Sequence, residues 1–90
     1  MTQPSPPTTP AQARTLVIEA LQEVAPDIDA TAVEPGTRLQ EDLDLDSMDF
    51  LNLLTALSDQ TGLDIPETDY ARLGTVEGCA RYLLGEDAVA

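Results

Sequence analysis

Between Asp46 and Gly62 the chain sets Phe50, Leu53, Leu54 and Leu57 three and four residues apart. That spacing gathers all four on one side of an α-helix and is wrong for one face of a strand. Asp46 is a good N-cap, and Asp49, three residues on, can supply the acidic part of a capping box. Gly62 is a C-terminal stop. The helix is therefore predicted over about Ser47 to Thr61. Met48, Leu51 and Thr55 fall on a neighbouring stripe, at about 100° per residue around the wheel. This helix has more apolar surface than one core face needs.

The same period recurs. Leu16, Val17, Ala20, Leu21 and Val24 mark a first helix that starts near Pro10 or Ala11 and is stopped by Pro26. After Ile65-Pro66 a short helix is predicted near Glu67 to Leu73, ended by Gly74. Thr75 then caps a last helix to about Leu84, with Val76, Cys79, Ala80 and Leu83 facing inward and Gly85 closing it. No strand pattern and no internal repeat is visible. The fold class is all-α: a four-helix bundle with three main helices, a short third, and a long connection over residues 25–46. Pro35-Gly36 is a turn in that connection. Ile28, Val33, Leu39, Leu43 and Leu45 are spaced to pin it to the helices.

The ends differ from the middle. Residues 1–10 hold four prolines and no aliphatic side chain beyond Met1, so they read as a disordered tail. Residues 85–90 read as a flexible C-terminal tail. One domain over 11–84 remains, and a free-standing chain is expected from Met1 and the termini on both sides of it. Aromatics are 3% of the 90 residues, so the core must be aliphatic.

Charge sets the partners. Four Arg stand against seventeen Asp and Glu, with no Lys and no His, for a net charge of -13. Such a surface repels nucleic acid and anionic lipid and attracts basic patches on other proteins. It also favours monomers at low salt. The lone Cys79 cannot form an internal disulfide. No signal peptide and no membrane-spanning stretch is visible, so a cytoplasmic protein is expected.

Chemistry would sit at Asp44-Leu45-Asp46-Ser47-Met48-Asp49. Ser47 falls in the first turn of the second helix, where unpaired N–H groups and the helix dipole favour an anion. A phosphate ester on Ser47 would lie near those donors. Asp46 and Asp49 repel the same phosphate, so their roles are capping and, during attachment, metal or partner contact. A serine beside an Asp cap is also simply a common helix start, and the short motif alone does not decide.

Three stretches carry a family resemblance. Asp46-Ser47-Met48-Asp49-Phe50-Leu51 resembles the Asp-Ser-Leu attachment site of acyl carrier proteins, with Met in place of Leu. Gly62-Leu63-Asp64-Ile65-Pro66-Glu67-Thr68-Asp69 resembles the link that follows that family's second helix. Leu73-Gly74-Thr75-Val76 resembles the approach to its last helix. The likeness spans about residues 11–84. It implies the four-helix carrier fold and a covalent 4'-phosphopantetheine on Ser47, flanked by Asp46 and Met48. The arm would come from coenzyme A through a separate Mg²⁺-dependent phosphopantetheinyl transferase, and its thiol would hold the acyl group. Fatty-acid synthase carriers usually show Gly-Ala before Asp-Ser. Asp44-Leu45 is more like polyketide and other specialised carriers.

The chain lacks the parts of an enzyme. It has no His, and only carboxylates flank Ser47, whereas an activated nucleophile needs a base and an orienting partner. A non-catalytic carrier is expected. Recognition is expected on the second helix, where Met48 and Leu51 are flanked by Asp49, Asn52 and Asp59. This resembles the family's partner face, which would meet acyl-loading and acyl-processing enzymes with basic patches. The bland alternative is that Met48 and Leu51 pack under the long loop. Asp42-Leu43-Asp44-Leu45-Asp46 imitates a Ca²⁺ loop but fails at its sixth and twelfth positions, Ser47 and Leu53. No metal site is expected. A peptidyl carrier and an acidic interaction module that takes no arm remain as alternatives.

Overall fold

The computed structural model describes residues 7–85. Three α-helices carry the fold: α1 over Pro10–Val24, α2 over Ser47–Thr61 and α3 over Val76–Leu83. A 3₁₀ turn spans Ala30–Ala32, and a seven-residue 3₁₀ helix spans Glu67–Leu73. The expected four-helix bundle is therefore present, its short third helix wound in the tighter form. Of the expected tails, residues 1–6 and 86–90 lie outside the described residues.

Each of the three α-helices begins where a short polar side chain can take up an orphan N–H. The Thr9 hydroxyl accepts from Gln12 N–H at 3.2 Å, with Pro10 in the first helical position. Thr8 adds two bonds to the Gln12 side chain, so the end of the Pro/Thr stretch is part of this cap. The Asp46 carboxylate accepts from Asp49 N–H at 2.8 Å, and the Thr75 hydroxyl from Gly78 N–H at 3.0 Å. At the far end of α2, Gly62 takes φ 73°, a left-handed conformation that a Cβ would resist.

α1 packs against α2 and α3, and α3 packs against the 3₁₀ helix. The core is aliphatic, as the scarcity of aromatics demands: Val17, Leu21, Leu53, Leu57, Leu73, Val76 and Leu83 are buried, with Cys79 among them. The four inward positions expected on α3 are all buried. Leu39 and Leu45 enter the core from the long connection, and Ile28, Val33 and Leu43 pack partly against it.

The connection is tied to the start of α3 by backbone bonds that sequence spacing does not announce. Leu39 N–H donates to Gly74 O at 3.0 Å, Val76 N–H to Thr37 O at 3.1 Å, and Glu77 N–H to Pro35 O at 2.8 Å. Arg38 and Thr75 form an isolated antiparallel bridge. These bonds satisfy backbone groups that an untied loop would leave to water.

Candidate functional site

The approach to Ser47 is built from four successive residues. Asp44 sits at φ 58°, alone among the described non-glycine residues in taking a positive value. Leu45 is buried and plugs the end of the loop into the core. Asp46 caps α2 with its side chain, and its carbonyl accepts from Phe50 N–H at 2.9 Å. Ser47 is then the first residue of α2 and is exposed. As first and second residues of a helix, Ser47 and Met48 have N–H groups without intrahelical acceptors. An exposed hydroxyl beside two orphan donors fits a phosphodiester.

The 90-residue sequence offers two serines between residues 14 and 83, Ser47 and Ser58. Ser58 is half-buried and its hydroxyl donates to Leu63 O at 2.6 Å. It closes the α2 turn and is committed there.

The rest of α2 divides by face. Leu53, Leu54, Leu57 and Thr61 are buried, and Phe50 lies half-buried with its ring edge-on to Tyr70 at a centroid distance of 6.2 Å. On the opposite side Met48, Leu51, Asn52, Thr55 and Asp59 are all exposed. At about 100° per residue these five share an arc of about 100°. Ser47 stands on one flank of that arc and half-buried Asp49 on the other. Met48 is 69% exposed and Leu51 43%, so neither packs under the loop. The apolar spot with an acidic and amide rim is a surface feature.

A groove of about 140 Å³ runs beside α2, between it and the segment leading into the 3₁₀ helix. Leu54, Ile65 and Tyr70 supply its apolar lining, and Thr55, Asp59 and Asp64 its exposed polar edge. It starts about 10 Å along the helix axis from Ser47, counting 1.5 Å per residue to Leu54.

Cys79 is remote from this chemistry. It is fully buried, and its thiol approaches Leu73 O at 3.4 Å. Burial pushes its pKa up to about 12, so the thiol stays protonated and unreactive at neutral pH.

The phosphopantetheine attachment site family matches residues 14–83, which contain both the Ser47 turn and the last helix. The chain belongs to the acyl carrier protein family. It is 30% identical over 71 residues to an acyl carrier protein of Rubrobacter xylanophilus, covering 76% of this chain and 88% of that one. It is 31% identical over 70 residues to the acyl carrier protein of Helicobacter hepaticus, covering 78% and 86%. A Campylobacter jejuni acyl carrier protein is 33% identical over 70 residues, covering 78% and 84%. As a member of this family the protein is a non-catalytic carrier of covalent 4'-phosphopantetheine and a partner of phosphopantetheinyl transferase and biosynthetic enzymes. None of its described helices is long and apolar enough to cross a membrane.

Two parts of this acyl carrier's site were out of reach of sequence reasoning. One is the left-handed turn at Asp44. The other is the cluster in which Arg38 meets Glu41 at 2.6 Å and Asp42 at 3.1 Å, on the loop that leads to Ser47. Neither has a periodic signature. The second had one faint signal: a single Arg four residues before an Asp, in a loop otherwise acidic.

Proposed function

We propose that Ser47 is the serine that takes the arm, and that the chain carries short, oxygenated acyl intermediates of polyketide-type or related specialised biosynthesis in the cytoplasm. The observation that carries the attachment reading is the contrast between the two serines: Ser47 is exposed at the start of α2, and Ser58 is tied to Leu63 O. When bound, the arm supplies a terminal thiol that holds acyl groups as thioesters. A reducing compartment suits such a thiol. Ser47 gives the point of attachment, and the Ser47 and Met48 N–H groups, which have no intrahelical acceptors, would favour the negative charge of a phosphodiester there. Asp46 caps α2 with its carboxylate and keeps its negative charge, so it serves the helix start and not the binding of the phosphate. The exposed arc of Met48, Leu51, Asn52 and Asp59, with Asp49 at its edge, is the docking face for enzymes that present an apolar contact ringed by basic residues. By charge the carrier works as a monomer.

The experiment is an intact-mass measurement after incubation with coenzyme A, Mg²⁺ and a promiscuous phosphopantetheinyl transferase. The wild type is expected to gain one arm and Ser47→Ala none. An arm on Ser47→Ala would sink the assignment. The pathway reading rests on Asp44-Leu45 before the serine and on the polar edge of the groove, since a long saturated chain calls for apolar walls. Loading with a short 3-oxoacyl group is therefore expected to raise the melting temperature more than loading with a saturated octanoyl group. The reverse order would point to fatty-acid cargo.

A further inference from the structure

We propose that Arg38 is a positioning residue for Ser47: its guanidinium clamps Asp42 and Glu41 and thereby sets the path of the chain into α2. The inference rests on the reading of Ser47 as the attachment residue.

The clamp closes a turn that is already fixed from behind. Arg38 bridges to Thr75, and Leu39 N–H donates to Gly74 O. In front, one residue holds the turn with both its backbone and its side chain. Arg38 N–H donates to Asp42 Oδ2 at 2.8 Å, Nε to the same oxygen at 3.3 Å, and Nη2 to Asp42 Oδ1 at 3.1 Å. Nη1 donates to Glu41 Oε2 at 2.6 Å, and Asp42 N–H returns to Arg38 O at 2.9 Å. Leu45 N–H then reaches back to Leu39 O at 3.4 Å, and Asp46 and Ser47 follow at once. Backbone bonds thus link the start of α3 through Leu39 to Leu45, one residue before the N-cap of α2.

Charge shows why a clamp is needed there. Residues 41–49 contain five carboxylates, Glu41, Asp42, Asp44, Asp46 and Asp49, and no cation. Left alone, they would push the loop open. Opening would also release Asp44 from its left-handed conformation. Arg38 reaches two of the five in a fork geometry that a lysine cannot copy. The Asp42 carboxyl is held below its usual range by its hydrogen bonds to Arg38, as a working clamp requires.

The contacts are exposed, with 57% of the Arg38 side chain and 39% of the Asp42 side chain open to solvent. Pairs of this kind are individually weak, and the two together amount to about a five-fold shift in loop order. That is enough to test, because a competing account predicts the opposite sign. A transferase with a basic docking patch should bind more tightly to a carrier that has lost a positive charge. Arg81, paired with Glu77 at 3.1 Å on α3, provides a matched control at a distant place in the sequence.

The test compares Arg38→Met, Arg38→Lys and Arg81→Met in the full chain. Arm transfer is measured as KM and kcat, and amide exchange at Arg38, Asp42 and Leu45 is measured on the protein alone. For Arg38→Met, KM should rise about five-fold with kcat unchanged, and exchange at those amides should quicken by a similar factor. Arg38→Lys should recover part of both. Arg81→Met should leave exchange unchanged and lower KM or leave it as it was. A KM that falls in Arg38→Met as it does in Arg81→Met, or unchanged exchange, overturns the clamp. A wild type that accepts no arm strikes the attachment reading instead, and the exchange comparison still decides the clamp.

Discussion

Asp44 carries the clearest local backbone cost among the described residues. At φ 58° its Cβ crowds the following carbonyl, a position that glycine adopts freely and aspartate only tolerates. Fatty-acid synthase carriers usually show a glycine at this point, a difference that did not by itself reveal a left-handed backbone; the φ of Asp44 supplies that meaning. Asp44→Gly is expected to stabilise the fold by about 0.5–1 kcal/mol after allowing for the freer unfolded chain. For a domain of this size that raises the melting temperature by about 3–6 °C. Asp44→Ala removes the same charge but keeps the Cβ, so it should give no comparable gain. Equal gains in the two variants would assign the effect to charge and not to backbone strain.

At the scale of elements, α2 has a buried face and an exposed one. Its inner face supplies Leu53, Leu54 and Leu57 to the core, and its outer arc leaves Met48 and Leu51 in water. Met48→Glu is therefore expected to leave stability within about 0.5 kcal/mol, because the side chain is largely exposed and stands outside the core cluster. It should lower kcat/KM with partner enzymes about ten-fold, as loss of an apolar anchor at the centre of an interface does. Unchanged turnover would remove this arc from recognition. The division of faces was legible in the sequence, since helical period, the Asp46 cap and the Gly62 stop are all local. So were the cap at Thr75 and the inward set on α3. What was not legible is non-local. The bonds from Pro35, Thr37 and Leu39 to the start of α3 join segments far apart in the chain. Gly78 is another such case. A Cβ there would lie 2.3 Å from Arg72 O, so α3 and the 3₁₀ helix approach each other backbone to side-chain position, and only a glycine fits. The sequence placed Gly78 inside a helix, where glycine is unfavourable, without showing what it makes room for. Exposed Arg38 was missed for a related reason: an ion pair in a loop leaves no periodic trace.

The field of the whole molecule acts on stability and on recognition in opposite directions. With four Arg against seventeen carboxylates, repulsive pairs far outnumber attractive ones. A small domain buries a limited share of its surface and has little stability to spare against that repulsion. The described ion pairs of Arg38 and Arg81 are exposed and contribute modestly, so their loss in salt cannot reverse the balance. Screening the like charges must therefore stabilise the fold. The melting temperature is expected to rise as NaCl increases from about 10 mM to about 200 mM and then to level off, once the Debye length falls below the spacing of surface charges. If the α2 arc is the docking face proposed above, the same screening weakens its attraction for a basic partner, and the rate of arm transfer should fall over the same range. Two slopes of opposite sign from one variable are the signature of a chain whose charge is kept for recognition at the expense of stability. A flat melt would show that the carboxylates are too far apart to strain the fold. A flat transfer rate would show that docking rests on Met48 and Leu51 alone.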